Sequence, residues 1–421
     1  MLVMGGIIGT GIFINPYVVA QRVHTPALVL GAWLSGGAIA LMAAFIWAEL
    51  ADRMPRVGGQ YAYLREAYTP LIAFLYGWVL LLVIQTGGMA AVTVTFSRYF
   101  LELTGLQAKD WQVAVIVLLT LTAVNCLGVR AGGTVQSALM VIKIVAIALL
   151  VGAGALLIRG APVAWKPLLD QPVSPGLLSS FGAAMVPVVF AYGGWQTASF
   201  VAGEMKHPRR DLPRAFLAGV AAVALLYVSV NYVCVRALGV SALAETKTPA
   251  SAVMRLAMGQ TGATIIAFGI AVSTLGFLSQ SVLTAPRVYF AMAEDGVFFR
   301  QLAWVHPRTR VPVVAIALQS VWTLVILLTG SYETILSYVV SMDAIFWTLT
   351  AGCIFVLRRR DTAASTFRMP GHPFTTALFC AACAGVVANT IYRYPGNTLV
   401  GLAILATGVP VYYIWRRTSH A

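Results

Sequence analysis

The fold of this chain is decided near its start, by the stretch Met4-Gly5-Gly6-Ile7-Ile8-Gly9-Thr10-Gly11-Ile12-Phe13, which holds four glycines in seven positions. The stretch is apolar enough to lie in a bilayer, but glycine is a poor helix former because it loses the most backbone entropy. We therefore expect a membrane helix that breaks here. Unpaired backbone groups at a break are tolerated only where they line a cavity. The glycines indicate either a substrate held at the break or close packing of helices through small residues.

Composition places the chain among membrane proteins with several spanning segments. Of its 421 residues, 59% are hydrophobic and only 10% are charged, whereas soluble domains carry roughly 25% charged residues. The formal net charge is +14, which in a soluble protein would suggest nucleic-acid binding. In a membrane protein, this excess of Lys and Arg is first tested against loop topology.

Twelve apolar runs are long enough to cross the hydrocarbon core, which takes about 17–25 helical residues. The sequence therefore predicts an all-α polytopic membrane protein with twelve transmembrane helices, here called spans 1–12. The runs are approximately 1–20, 27–51, 70–98, 111–128, 134–158, 177–203, 212–236, 260–292, 311–330, 333–357, 374–392 and 396–415.

The distribution of Lys and Arg predicts that both termini are cytoplasmic. With the N-terminus inside, 17 of the 28 basic residues fall in inside loops and nine fall outside. The remaining two, Lys143 and Arg287, lie near or within spans. This bias follows the positive-inside rule and explains the high net charge without nucleic acid.

A second glycine break is predicted in span 6, at Phe190-Ala191-Tyr192-Gly193-Gly194-Trp195. It lies five spans after the first break. Paired broken segments at corresponding positions indicate an inverted-repeat transporter with a binding site near the membrane midplane. We expect a single transmembrane domain over 1–421, with repeats at about 1–158 and 177–357, and with helices 11 and 12, at about 374–415, outside the repeat.

Several specific motifs follow one another in a fixed order along the chain. They are Gly5-Gly6-Ile7-Ile8-Gly9-Thr10-Gly11-Ile12-Phe13, Ala48-Glu49-Leu50, Pro55-Arg56-Val57-Gly58-Gly59-Gln60-Tyr61-Ala62-Tyr63-Leu64, Phe190 to Trp195, Gly203-Glu204-Met205-Lys206-His207-Pro208-Arg209-Arg210-Asp211-Leu212-Pro213-Arg214-Ala215, and Pro286-Arg287-Val288-Tyr289-Phe290-Ala291-Met292-Ala293-Glu294-Asp295-Gly296. In these motifs the chain resembles the amino acid–polyamine–organocation superfamily of transporters, in its L-amino-acid-transporter-like branch, from residue 1 to about 417. The resemblance implies the LeuT-type five-plus-five inverted-repeat fold, with helices 1 and 6 discontinuous, and secondary transport of amino acids by alternating access.

The resemblance also implies which residues bind the amino acid head group. The free N–H groups at the start of a half-helix suit a carboxylate, and the free carbonyls at the end of a half-helix suit an ammonium group. By resemblance, the amides of Thr10 and Gly11 hold the carboxylate, and Gly9 allows close approach. The carbonyls that are expected to hold the amine are those of Ile7, Phe190, Ala191 and Gly193.

Three further features carry open alternatives. Phe190 and Trp195 are candidate gates over the substrate, although aromatic residues in membrane spans also serve as packing groups or interface anchors. Lys143 lies in the middle of span 5, where an intramembrane lysine suggests a function. By resemblance it lies behind span 1, where related sodium symporters bind an ion. It either takes part in coupling, as an ion mimic or a proton carrier, or is a fixed structural cation on span 1 carbonyls.

Acidic residues raise two more alternatives. Glu49, Glu204, Arg287 and Asp295 are candidates for an ion network at the inner gate, or else they are charges that set topology at loop ends. Asp343, deep in span 10, lines the vestibule or caps a local kink, and the residues do not decide between the two.

The residues favour neutral L-amino acids as substrates, because Gly193 and Gly194 stand where some relatives carry an acid. A permease for cationic amino acids, polyamines or other amines on the same fold is the alternative, and exchange and proton-linked symport both remain open. We expect no enzyme activity, because the five scattered histidines form no catalytic or metal-ligating set. No cofactor, metal or nucleic acid is expected.

The expected setting is the cytoplasmic (inner) membrane, and the expected partners are the amino acid substrate and membrane lipids. No cysteine falls in a predicted outside loop, so we expect a monomer without a disulfide-linked partner subunit. Span 1 begins only a few residues before its break, which predicts one or two further helical turns upstream.

Overall fold

The computed structural model describes residues 1–158, 163–329, 332–360, 365–393 and 395–418, and the described residues form helices and their connections, without β-strands. Side chains within these ranges are described except at 129–137, 329, 332–338, 397, 417 and 418. The described helices are α1 (Leu2–Ile7), α2 (Gly11–Ala20), α3 (Pro26–Arg53), α4 (Gln60–Ala67), α5 (Pro70–Val79), α6 (Gln85–Thr104), α7 (Asp110–Cys126), α8 (Val129–Leu156), α9 (Pro175–Tyr192), α10 (Thr197–Phe200), α11 (Pro208–Glu245), α12 (Pro249–Thr284), α13 (Pro286–Glu294), α14 (Val313–Thr329), α15 (Tyr332–Arg360), α16 (Phe374–Arg393) and α17 (Pro395–Thr418).

Proline and hydroxyl residues set where several helices begin. Proline is the first residue of helices α3, α5, α9, α11, α12, α13 and α17, a position where its missing N–H costs no hydrogen bond. Thr25, Thr69 and Ser174 stand immediately before three of these prolines, and each side chain accepts a hydrogen bond from a backbone N–H of the first turn. Such caps satisfy donors that a helix start would otherwise leave unpaired.

Length and apolar composition give nine membrane-spanning candidates among the described residues, and three shorter apolar helices accompany them. The shorter helices are Gly11–Ala20, Asp110–Cys126 and Val313–Leu328. The chain is therefore a multi-pass membrane protein, as its composition predicts.

Both helix breaks predicted from glycine lie where they were expected. The first separates α1 from α2, with Ile8 extended at φ −73° and ψ 94°. The second follows Tyr192, where Gly193 is extended and Gly194 has φ +105°, a conformation that favours glycine. Helical structure resumes in α10 at Thr197. A π-helical turn, Leu80–Ile84, joins α5 and α6 in span 3, and the sequence pattern did not predict it.

Small residues bring the helices around span 6 close together. Gly36 of α3 lies against α9, since a Cβ there would stand 2.3 Å from Val188 Cγ1. Beside this contact, Trp33, Tyr192 and Tyr227 form a buried aromatic cluster that joins α3, α9 and α11. The cluster fixes α9, the first half of span 6, relative to α3 and α11.

Candidate functional site

A single cavity lies between the two broken spans, with spans 3, 8 and 10 completing its wall. Its empty space comes to about 690 Å³ when the open mouth is counted, but the part that a water-sized molecule can enter is only about 60 Å³. The lining residues are Gly6, Ile7, Gly9, Thr10, Gly11, Ile84, Gln85, Gly88, Val92, Phe190, Ala191, Gly193, Gly194, Gln196, Thr197, Phe277, Gln280, Ser281, Val339, Val340, Asp343 and Trp347. All seven residues expected to bind the head group are among them.

The start of α2 presents backbone donors to this cavity. Gly11 is the first helical residue, and the first amides of a helix have no partner within it and carry a partial positive charge. Beside them, the Thr10 hydroxyl is buried and has no hydrogen-bond partner among the described residues. Together these groups can bind a carboxylate.

The carbonyls at the end of α1 already have protein partners. Ile8 O accepts a hydrogen bond from Lys143 Nζ at 2.6 Å, and Ile7 O accepts one from the Tyr227 hydroxyl at 3.1 Å. A carbonyl oxygen has two lone pairs, so Ile7 keeps acceptor capacity for an ammonium group. Sequence reasoning missed Tyr227, because a hydroxyl in an apolar span indicates a partner but not which one.

The span 6 break is held by its own side chains. Gln196 Oε1 accepts a hydrogen bond from the Gly194 N–H at 3.0 Å, and the Thr197 hydroxyl donates to Gly194 O at 2.8 Å. The Gly193 N–H is bonded to the carbonyls of Val189 and Phe190. Of the span 6 carbonyls expected to hold the amine, that of Phe190 is therefore already occupied, and those of Ala191 and Gly193 are the better candidates.

The two breaks touch through glycine. A Cβ on Gly194 would stand 2.1 Å from Gly6 O, and a Cβ on Gly6 would stand 2.5 Å from Gly194 O. At Gly11, a Cβ would stand 2.8 Å from Ala191 Cα. The glycines therefore allow the close packing considered from the sequence, and this packing brings the two breaks to one cavity.

The candidate gate residues occupy different positions. Phe190 is half-buried and lies on the cavity wall. Trp195 is buried behind that wall, with its ring centroid 4.5 Å from that of Trp347 and 6.0 Å from that of Trp47. In this conformation Trp347, which sequence reasoning missed, lines the cavity, and Trp195 packs behind it.

Lys143 lies behind span 1, as the resemblance implied. Its side chain is fully buried, and besides Ile8 O its Nζ reaches Gly5 O at 3.5 Å. A Cβ on Gly276 of span 8 would stand 3.5 Å from the same Nζ. The lysine therefore connects spans 1, 5 and 8 at the break.

The four residues expected at an inner gate do not form one network. Arg287 pairs with Glu204 at 2.9 Å. Asp295 instead pairs with Arg65 and accepts a hydrogen bond from the Tyr61 hydroxyl, and burial beside Asp295 raises the pKa of Tyr61.

Glu49 belongs to a third cluster, in which it accepts hydrogen bonds from Arg53, Arg358 and the Met369 N–H. The correction has a simple cause. Glu49 lies in the last turn of α3, beside the connection between α15 and α16, and Arg53 and Arg358 are within hydrogen-bond distance of it there.

Comparison with known proteins identifies the family. A family profile described as "Amino acid permease" matches residues 1–414. The chain belongs to the amino acid permease family. The superfamily resemblance predicted from the motifs is thereby confirmed.

This permease is similar to several curated transporters. It is 31% identical to the "Serine/threonine exchanger SteT" of Bacillus subtilis (strain 168), over 98% of this chain and 94% of that protein. It is 30% identical to the human "Large neutral amino acids transporter small subunit 2", over 98% and 78% of the two chains. It is 27% identical to the human "Asc-type amino acid transporter 1", over 99% and 81%.

Proposed function

We propose that this permease moves neutral L-amino acids across the cytoplasmic membrane by alternating access, and that it works by exchange. The observation that carries the proposal is the crossing of two helix breaks at Gly6 and Gly194 on the wall of one cavity. The proposal is supported by the residues of both breaks that line this cavity, where the first N–H groups of α2 and the last carbonyls of α9 can serve as donors and acceptors. An α-amino acid has the matching carboxylate and ammonium on one carbon.

Substrate neutrality is supported by the charges around the cavity. Lys143 stands buried behind the wall, and Asp343 is the one ionisable side chain on the wall among the described residues. One basic and one acidic group suit a substrate without net charge, since an unbalanced buried charge is costly. The names of the relatives, which include a serine/threonine exchanger and a large neutral amino acid transporter, point the same way.

We further infer twelve spans and an inverted repeat. The nine long candidates and the three shorter apolar helices correspond to the twelve apolar runs, with α1 and α2 forming span 1. The repeats would cover about 1–158 and 177–357 within a single domain, and α16 and α17 would lie outside them.

A single-chain transporter in the inner membrane, with both termini cytoplasmic, accords with the arginine-rich connections. All five cysteines lie within helices and are free. A disulfide to a partner subunit would need a cysteine in an outside connection, so we infer a monomer.

Counterflow in proteoliposomes tests the proposed function. Purified protein is reconstituted with unlabelled internal amino acid, and uptake of labelled serine, alanine, leucine, arginine and putrescine is followed with and without a pH gradient. We expect uptake of the neutral amino acids that requires internal substrate. Uptake of arginine or putrescine alone would reject the substrate class, and uptake driven by the pH gradient into empty vesicles would reject exchange.

A further inference from the structure

A groove open on one side lies between α9 and α16, and α3 contributes to its wall. Its empty space is about 1070 Å³ when the open side is counted, and water-sized molecules can enter about 540 Å³ of it. Most of its lining is apolar, and it includes Ile39, Phe181, Met185 and Val386. All three helices are candidates for membrane spans, so the groove lies where acyl chains surround the protein.

The length of the groove matches one leaflet of a membrane. Along α16 the lining runs from Ala382 to Tyr392, which is about 15 Å of helix, or half of the roughly 30 Å hydrocarbon core. Beyond Ala382 the helix is packed, since Phe379 is fully buried with its ring against that of Trp47. A partner helix would follow the inner half of the membrane as well. A groove confined to one leaflet therefore suits an acyl chain.

A cation stands at the outer end of this groove. Arg393 ends α16, and its guanidinium donates hydrogen bonds to Ser179 Oγ at 3.0 Å and to Ser180 Oγ at 3.3 Å. These contacts hold the guanidinium beside α9, and no acidic side chain in the described part of the chain forms an ion pair with it. A guanidinium has five N–H donors, so donors remain for an anion. One turn deeper, Asn389 is a polar residue of the lining.

We propose that this groove binds an anionic phospholipid of the outer leaflet, with an acyl chain between α9 and α16 and the phosphate on Arg393. The groove follows the chemistry of such a lipid along its length. It offers a guanidinium to the phosphate, a polar side chain at the depth of the ester groups, and apolar side chains to the acyl chain. The lipid contacts both helices and stabilises their packing. The inference does not depend on which substrate is transported.

Lipid binding to the purified protein tests the proposal without a transport measurement. Delipidated protein in detergent is titrated with phosphatidylglycerol, or with phosphatidylcholine of the same acyl chains, and bound lipid is counted by native mass spectrometry. We expect one phosphatidylglycerol to bind about fivefold more tightly than phosphatidylcholine, because one arginine faces its charge, and to raise the unfolding temperature. Equal binding of the two lipids, or equal stabilisation by inorganic phosphate, would overturn the proposal.

Variants of Arg393 test the contact with the phosphate. Arg393→Gln should bring the affinities of the two lipids to within about twofold of each other, whereas Arg393→Lys keeps the charge and should keep most of the preference. The control Lys109→Gln removes a cation at an exposed position outside the groove, and the preference should be unchanged. A preference that survived Arg393→Gln, or that fell as far in Lys109→Gln, would contradict the role of Arg393.

Filling the groove tests the contact with the acyl chain. Ala382 lines the groove and is only partly buried, so the ring in Ala382→Phe should occupy the space of the acyl chain. This variant should lose most of its binding of both lipids. The matched control Ala403→Phe, at an exposed position of α17 outside the groove, should bind lipid as the parent does. Full binding by Ala382→Phe would overturn the site.

Cross-linking in the unaltered protein locates the lipid even if a variant fails to fold. Phosphatidylglycerol with a photoactivatable diazirine on its acyl chain is bound and irradiated, and the modified peptides are identified. We expect modification within residues 175–185 and 382–392, which contribute to the groove. Modification spread evenly over the other membrane-facing helices would contradict the proposal. A dimer in the native mass spectrum that dissociates in Ala382→Phe would show that a second copy is the occupant.

Discussion

Gly194 is the residue at which the geometry of the site is most tightly constrained. Its φ is +105°, and the place of its Cβ is 2.1 Å from the backbone of span 1. Gly194→Ala should lower the stability of the folded protein by at least about 2 kcal/mol, because it adds both backbone strain and overlap with Gly6. Thermal unfolding in detergent measures the change, and counterflow should be lost with it.

The matched control is Gly385→Ala in α16. Nothing lies within 4 Å of a Cβ at Gly385, and alanine is the better helix former by roughly 0.5–1 kcal/mol. This variant should be as stable as the parent or slightly more stable, with unchanged counterflow. If Gly194→Ala were as stable and as active as this control, the close contact between Gly194 and Gly6 would be contradicted.

Lys143 is the second residue on which function should depend. Lys143→Ala leaves Ile8 O without its 2.6 Å hydrogen bond in a fully buried position, a loss of about 1–3 kcal/mol. We expect the counterflow rate to fall about tenfold or more. Lys109→Ala, at an exposed loop position, should leave the rate unchanged.

The pH dependence of the surviving transport separates the two roles considered for Lys143. A lysine that exchanges a proton during the cycle gives a pH profile that disappears with the side chain. If Lys143 is a fixed cation, its removal lowers the transport rate by the same factor at every pH. Full uptake by Lys143→Ala, with the parent's pH profile, would exclude coupling through this residue.

At the scale of elements, an ion pair joins the segment after α10 to α13. Arg287 is 4% exposed in its side chain and also donates to Leu283 O, whereas Glu204 is 43% exposed. Glu204→Gln removes the partner of a buried cation, so we expect a loss of about 1–3 kcal/mol, less than for a fully buried pair. Thermal unfolding should show this loss.

The double variant Glu204→Gln with Arg287→Gln tests the origin of that loss. Removing both charges leaves no unpaired buried cation, so the double variant should be more stable than Glu204→Gln alone. Additive losses from the two single variants would contradict coupling between them. Asp211→Asn, a partly exposed position outside this pair, is the control for loss of an acid.

At the scale of the whole molecule, topology can be tested by cysteine accessibility. In a background where the five native cysteines are replaced by alanine, Lys247→Cys should react with a membrane-impermeant thiol reagent in intact cells. Arg308→Cys should react only after the membrane is opened, because the positive-inside rule places that connection in the cytoplasm. Labelling is measured by gel shift. If Arg308→Cys reacted in intact cells and Lys247→Cys did not, the inferred orientation would be reversed.

Sequence reasoning was most successful where one local property decides structure. Helix breaks follow from glycine at Gly5–Gly11 and Gly193–Gly194, and helix starts follow from proline. It was less successful for ion pairs. A network of Glu49 and Asp295 with Glu204 and Arg287 is one of two alternatives that the sequence leaves open. In the structure Glu49 pairs with Arg53 and Arg358, and Asp295 pairs with Arg65, because ion-pair choice depends on distances between helices that no local pattern specifies.

The sequence by itself determined that this is a multi-pass membrane protein of the permease family with two broken spans, because apolar run length and glycine content are local physical constraints. Only the tertiary structure decided that Gly6 meets Gly194, that Tyr227 and Lys143 bind the span 1 carbonyls, and that Asp343 lines the cavity where Trp195 does not. The physical reason is that buried polar groups take their partners from other helices. Which helices approach closely enough is settled by the packing of the whole chain.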